Sequence, residues 1–458
     1  MKGFLLPLIA GLGLAAVFTA SPLTVVALPL AWVVITLAGR GLPDDERRSL
    51  TALLWIAFAA RIAAIVGLFL IGLPGHSDVS VGGLSGDDAY YFGRAIRARD
   101  LLLGFASGKY DYFVVSDAYG QTNYLRLLTW LQVVVGPTPY GMRVVNALMF
   151  VSGSAVLFRT VRKGFGTVPS FTGLAVLLFL PSLFFWSISL LKESMFFLVT
   201  ALLIGATMRL LSQPKASKII PLVALGGLCL WLLDDLRRGG LALALIGIAL
   251  GLLLRLVFAR PSRVVIAAAL AIALAVSAFS SEAIRSRFVS GVTSAAQVQA
   301  GHVFTIGHAY KLLDDGFYVF PGTPEDLTFE QAMRFVARAA ASFVLTPLPW
   351  DVRSRGELAL LPEHMVWYLM IVLAPIGLVA GWKRSPLLTC VLVGYAIPMA
   401  ATIAVTNGNV GTLLRLRALV TPQLIWISAI GLLAVVSSIL ERSRQSRAGM
   451  LVAEGPLA

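Results

Sequence analysis

Apolar runs of roughly 18–22 residues recur along nearly the whole chain, each long enough to cross about 30 Å of hydrocarbon as a helix. The pattern predicts spans at about 3–20, 22–39, 51–73, 140–160, 168–187, 190–211, 219–236, 239–258, 264–281, 364–381, 386–405 and 419–440. Two long polar segments interrupt them, at about 74–139 and about 282–363. Within the first, Ala89 to Phe105 has helical periodicity. Tyr91, Ala95, Ala98 and Leu102 lie opposite Arg94, Arg97 and Asp100, a pattern suited to a helix in the membrane interface. Asn123 to Val135 is apolar but short, and it reads as re-entrant or interfacial. Phe329 to Phe343 is an amphipathic piece of the second segment. The expectation is an all-α polytopic integral membrane protein with about twelve transmembrane helices and interfacial helices in two outer loops. Its parts are an N-terminal hairpin with a cytoplasmic loop (1–49), a transmembrane core (50–281) holding the first outer loop, a second outer loop (282–363), and C-terminal helices with a tail (364–458).

The basic residues give this pattern a direction. Arg40/Arg47/Arg48, Arg159/Arg162/Lys163, Arg209/Lys215/Lys218, Arg255/Arg260/Arg263, Lys383/Arg384 and Arg442/Arg444/Arg447 all fall on one side of the alternating spans. The positive-inside rule makes that side cytoplasmic, with both termini on it. All four histidines (His76, His302, His308, His364) and most acids then lie outside. Met1-Lys2 with the apolar run Phe4 to Ala20 looks like a signal peptide, but Leu23 to Leu37 follows at once, so a retained signal-anchor hairpin is expected.

Composition agrees. Hydrophobic residues make up 58 % of the chain and charged ones 13 %, which excludes an ordinary soluble domain. A formal net charge of +14 carried in short clusters between apolar runs fits anionic headgroups, not nucleic acid. Cys229 and Cys390 sit in apolar runs and suggest neither a disulfide nor a metal site.

The chemistry concentrates in a few places. Gly86-Asp87-Asp88-Ala89-Tyr90-Tyr91-Phe92 puts two carboxylates just after a span. Carboxylates there are costly unless they face water, a cation or a substrate. A general base needs a carboxylate within reach of an acceptor hydroxyl, and a like charge beside it makes it a stronger one. The alternative is a helix N-cap, and one Asp can cap while the other reacts. Trp186-Ser187-Ile188-Ser189-Leu190-Leu191-Lys192-Glu193 forms a tight outer turn. Lys192 and Glu193 are either a local interfacial pair or, through Glu193, a second carboxylate able to orient an acceptor or hold a cation. Arg143, Arg237, Arg238, Arg415 and Arg417 are outward cations whose forks match phosphate, although headgroup anchoring uses the same residues. Arg415 and Arg417 follow Asn407-Gly408-Asn409-Val410-Gly411-Thr412, a turn-rich segment able to present amides to phosphate. Arg61, deep in its span, needs a polar partner. His302 and His308 lie six apart and make no zinc motif, whereas Glu363-His364 stands where a span begins on the outer side.

Taken in order, these residues resemble the GT-C superfamily of polytopic, polyprenyl-phosphate-sugar-dependent glycosyltransferases. The resemblance runs from Arg61 through Gly86-Asp87-Asp88-Ala89-Tyr90 to Arg143-Val144-Val145-Asn146-Ala147-Leu148. It continues through Pro181-Ser182 and Trp186 to Lys192-Glu193. It implies inverting transfer of a sugar to a cell-envelope glycan or lipid acceptor, outside a bacterial plasma membrane. Asp87 or Asp88 then serves as catalytic acid-base group and Tyr90 and Tyr91 stack on sugar. Lys192, Glu193, the five arginines and Glu363-His364 contact substrates. The implied partners are a polyprenyl-phosphate sugar, the acceptor and membrane lipids, with no nucleic acid. No organic cofactor is implied, and a divalent cation stays open. In two respects the expected layout departs from that family: the acidic loop follows the third expected span instead of the first, and no large soluble C-terminal domain is expected. Two other classes compete: a surface-polysaccharide polymerase or ligase, which leans more on basic residues, and a transporter or flippase, which predicts broken spans and internal repeats.

Overall fold

In the computed structural model, residues 21–72, 86–105, 108–116, 121–212, 215–304, 327–350 and 355–453 are described, with a few isolated positions before 21. Helix accounts for 88 % of the structure and no strand occurs among the described residues, so nearly all backbone polar groups are satisfied within their own segments, as a lipid environment demands. Among the described residues, nine helices are long and apolar enough to cross a membrane, or ten if a bent pair counts as one span. The first expected span, 3–20, falls almost wholly outside the described residues.

Two compact units divide the chain: Met1–Lys163 with Leu174–Ala242, and Gly164–Gly173 with Leu243–Ala458. The first begins with α1 (Pro22–Gly39) and α2 (Asp44–Gly72), then α3 (Gly86–Leu102), α4 (Lys109–Ser116) and α5 (Asn123–Val135). The helices expected at Ala89–Phe105 and Asn123–Val135 are α3 and α5, the latter a separate 13-residue helix too short to span, whereas α4 was not anticipated. Thr122 caps α5 through its side chain, and Gly136, at φ 80°, ends it. Next come α6 (Pro139–Phe165), α7 (Thr167–Phe179), α8 (Pro181–Ser187), α9 (Glu193–Leu211) and α10 (Ala216–Leu236).

The apolar run expected as one span over 168–187 is instead α7 and α8, bent by 60° at Leu180. Pro181 explains the break: it has no N–H to donate and its ring crowds the preceding turn. The carbonyl of Leu178, next to this bend, accepts a hydrogen bond from Arg61 Nη2 at 2.8 Å. Arg61 is fully buried, donates also to Ser187 Oγ and Ala57 O, and lies against the rings of Phe150 and Phe184. The polar partner its span required is therefore the broken helix itself.

The second unit contains α11 (Gly240–Val257), α12 (Pro261–Ser280), α13 (Glu282–Phe304), α14 (Phe329–Leu345), α15 (Arg355–Arg384), α16 (Pro386–Thr406), α17 (Val410–Arg417) and α18 (Thr421–Ala453). Among its described residues, the segment expected as the second outer loop (282–363), read as mostly polar with one amphipathic piece, holds α13, α14 and the start of α15. A capping box of Thr328 and Gln331 starts α14. Helix α15 begins before the expected 364, so Glu363 and His364 lie inside a helix. It packs along α18 at a crossing of small residues, where a Cβ on Gly431 would stand 2.4 Å from Leu373 O and 2.9 Å from Gly377 N. Glycine there is what permits backbone-to-backbone approach.

Candidate functional site

In the first unit, the acidic pair opens α3, and its two members differ completely in surroundings. Asp87 is exposed and Asp88 is fully buried. One turn of helix explains the split, since neighbours in sequence point about 100° apart and only one can face the bundle. Asp88 Oδ2 accepts a hydrogen bond from Arg143 Nη2 at 3.0 Å, and Asp88 Oδ1 accepts one from the Leu190 amide at 2.9 Å. Arg143 itself is 2 % exposed, so this is a buried, hydrogen-bonded ion pair between α3 and α6 that also grips the α8–α9 turn.

That turn is held from further sides. Asn146, one turn along α6 from Arg143, donates through Nδ2 to the carbonyls of Ser189 and Leu191, the latter at 3.0 Å. Arg61 holds Ser187, where α8 ends. Glu193 begins α9, is 6 % exposed, and faces Arg237 at 3.8 Å. Lys192 precedes it, half-buried, and Arg238 is exposed. Glu193 thus reaches across to the end of α10. The first unit therefore brings together Asp88, Arg143 and the turn before Glu193, with Arg237 beside Glu193.

Aromatic rings join the acidic turn to α5. Tyr91 and Tyr124 meet edge to face with centroids 5.6 Å apart, and Tyr90 meets Tyr91 at 5.8 Å. Tyr124 is fully buried. Burial, reinforced by the charges of Asp88, Tyr91 and Glu193, pushes its hydroxyl pKa well above the ordinary phenol value, so it stays a neutral donor. Exposed Tyr90 lies under the Arg94 guanidinium at 4.5 Å. Ala89, Tyr90, Gly93, Arg94, Arg97 and Tyr110 line a small cavity of about 200 Å³. It adjoins Asp87 in sequence and is lined by two tyrosine rings and two cations.

Several of these residues escaped the sequence reading. Asp235, whose Oδ2 accepts a hydrogen bond from the Asn123 amide at 2.6 Å, ties α10 to α5. Its signal was legible, since Asp234-Asp235 is a second acidic pair at a span end directly before Arg237-Arg238. Tyr110 had no such signal, because its place beside Arg97 depends on how α4 folds back on α3.

The second unit holds Glu363, His364, Arg415 and Arg417. Here the expectation of outward arginines needs correction for Arg417, which is 4 % exposed. Its Nη2 donates to the carbonyls of Phe343 and Ser342, near the C-terminus of α14, and Nη1 lies 3.4 Å from His364 Nε2. The guanidinium sits 4.8 Å from the Trp367 ring centroid. Desolvation works against its charge, opposed by Tyr368 and Glu363. Arg417 is thus occupied as a helix C-terminal cation. The amides of Gly411 and Thr412, expected to meet phosphate, are instead taken by Asn409 Oδ1 at 2.8 and 3.3 Å, as the N-cap of α17. Arg415 and Glu363 are half-buried.

Among the described residues, no group of three or more His, Cys, Asp or Glu side chains is placed to hold a metal ion. His76 and His308, and the side chain of His302, lie outside the described residues. Fold and site together define a polytopic all-α membrane protein with a buried ionic network at one end of its first unit. Comparison with protein-family models, curated proteins and solved structures finds no match.

Proposed function

We propose that this chain is a membrane glycosyltransferase that moves a sugar, with inversion, from a polyprenyl-phosphate carrier to a glycan or lipid acceptor on the extracytoplasmic face. The observation that carries the reading is the division of labour in the acidic pair. A buried, doubly engaged Asp88 fixes the first turn of α3, and this leaves Asp87 pinned at a set place and open to solvent. Fixing a base through rigid neighbours lowers the entropic barrier of a two-substrate reaction.

In the proposed step Asp87 accepts the proton of the acceptor hydroxyl while that oxygen bonds to the anomeric carbon. The bond from that carbon to the phosphate oxygen breaks, and its electron pair leaves with the polyprenyl phosphate. Arg237 and Arg238, at the end of α10, supply positive charge for the leaving phosphate. Glu193, facing Arg237, keeps the first of these in place. Tyr90 offers the sugar a ring face. Membranes containing the full chain, given a panel of radiolabelled polyprenyl-phosphate sugars, should transfer label from one donor class to an endogenous acceptor. Absence of transfer with every donor, in membranes where the protein is folded and abundant, would reject the reading.

A further inference from the structure

We propose that the first unit carries a binding site for an anionic phospholipid at the end of its helices opposite the Asp88 cluster. A cavity of about 370 Å³ lies there between α1, α6, α9 and α10. Its volume falls in the range of about 300–1,000 Å³ usual for ligand pockets. Val34, Leu37, Val156, Leu198, Leu202 and Leu225 give it an apolar wall, and Ala155, Gly205 and Ala206 leave the space. Two guanidiniums, Arg159 and Arg209, are the only charged side chains in its lining.

Position follows from helix geometry. Arg159 stands sixteen residues beyond Arg143 on α6, and Arg209 sixteen beyond Glu193 on α9. At 1.5 Å per residue each offset is roughly 24 Å, most of a hydrocarbon thickness. Both helices therefore bring an arginine to the same level at the far membrane boundary, the one that the basic clusters assign to the cytoplasm. Charge there is in excess. Arg162 is matched by Glu46, but Arg159 and Arg209 are close enough to repel each other and have no carboxylate partner among the described residues. Arg159 donates through Nη1 to Ala38 O and Arg40 O, which holds it in place without neutralising it.

An apolar crevice between transmembrane helices with two cations at headgroup level matches one kind of occupant: a lipid whose acyl chain fills the crevice and whose phosphate sits between the guanidiniums. Basic pockets of this sort select anionic headgroups. A zwitterionic lipid offers the same chain but places a cationic group beside the arginines, so the site discriminates by charge. The proposal is independent of the glycosyl-transfer reading, and its test measures binding, not turnover.

The test is native mass spectrometry of the purified full chain in detergent, titrated with phosphatidylglycerol or phosphatidylcholine of matched chains. Retention of phosphatidylglycerol over phosphatidylcholine is expected, with affinity for the anionic lipid lowered about fivefold in Arg209→Ala, as one basic residue near a lipid phosphate predicts. Arg159→Gln should weaken it similarly. Should that variant fail to fold because Ala38 and Arg40 lose their partner, Arg209→Ala alone decides, since the Arg209 side chain is exposed. Arg442→Ala, which removes an exposed charge from α18, should leave affinity unchanged. Equal retention of the two lipids overturns the proposal, as does unaltered binding in Arg209→Ala. Preference for an added polyprenyl phosphate over phosphatidylglycerol would also overturn it, by assigning the cavity to a different lipid.

Discussion

Asp87 and Asp88 are adjacent in sequence and chemically identical, yet replacing them should have opposite consequences. Asp87→Asn removes an exposed carboxylate. If Asp87 is the base, turnover falls on the order of 10²–10⁴ while the melting temperature hardly moves. Asp88→Asn leaves Arg143, 2 % exposed, without its counter-charge, and breaking a buried pair in this way costs about 3–5 kcal/mol. The expected result is a large drop in melting temperature and in the yield of folded protein. Melting curves and transfer rates on both variants separate the roles, and a stable, inactive Asp88→Asn protein would swap them. That a carboxylate of the pair needs a partner was legible from the sequence, because carboxylates beside a span are costly alone. Which member is buried was not, since that depends on the rotation of α3 against α6. Arg417, expected to point outward, is buried for the same reason: its partners come from α14 and α15, tens of residues away in the chain.

Helical elements were easier to anticipate than residue roles, because a span is a local property of some twenty residues. The apolar runs from 22–39 onward reappear as helices, as do the interfacial pieces at Ala89–Phe105, Asn123–Val135 and Phe329–Phe343. What local pattern did not reveal was the 60° bend between α7 and α8, although Pro181 marked the place. Nor did it show how helices meet. The α15–α18 crossing depends on Gly377 and Gly431, residues that give a hydropathy plot no feature. Adding a single methyl at Gly431 forces contact with Leu373 O and the Gly377 backbone, neither of which can turn aside. Gly431→Ala should therefore destabilise the protein by about 1–3 kcal/mol, the usual cost of overpacking. Gly227→Ala in α10, where a Cβ would meet nothing within 4 Å, should be tolerated. Equal melting temperatures for the two variants would show that the crossing is looser than its geometry implies.

At the scale of the whole chain, the count of crossings decides where the chemistry faces, and parity makes the count testable. Among the described residues after Ser116 come seven of the nine long apolar helices, the bent pair α7–α8 and the helix α12, in all nine crossings if each of the last two spans. An odd number puts Ser116 and Ser443 on opposite sides. The positive-inside rule predicts which is which: Ser443, beside Arg442 and Arg444, is expected in the cytoplasm. Helix α12 is the least secure crossing, because among the described residues its apolar stretch is only Pro261–Leu274. Yet if it merely lay on the surface, eight crossings would remain, and two clusters of arginines and lysines would face the wrong side. Each basic residue near an anionic cytoplasmic leaflet is worth about 1 kcal/mol, so that arrangement is disfavoured by several. Single cysteines at Ser116 and Ser443, both exposed, report the answer with little background, because the native Cys229 and Cys390 are buried. An impermeant thiol reagent applied to intact cells should label the first and spare the second. Labelling of both would mean that α12 or the bent pair does not cross. Labelling of Ser443Cys alone would reverse the orientation, carry Asp87 into the cytoplasm, and remove the proposed transferase from the face where its carrier-bound sugar is presented.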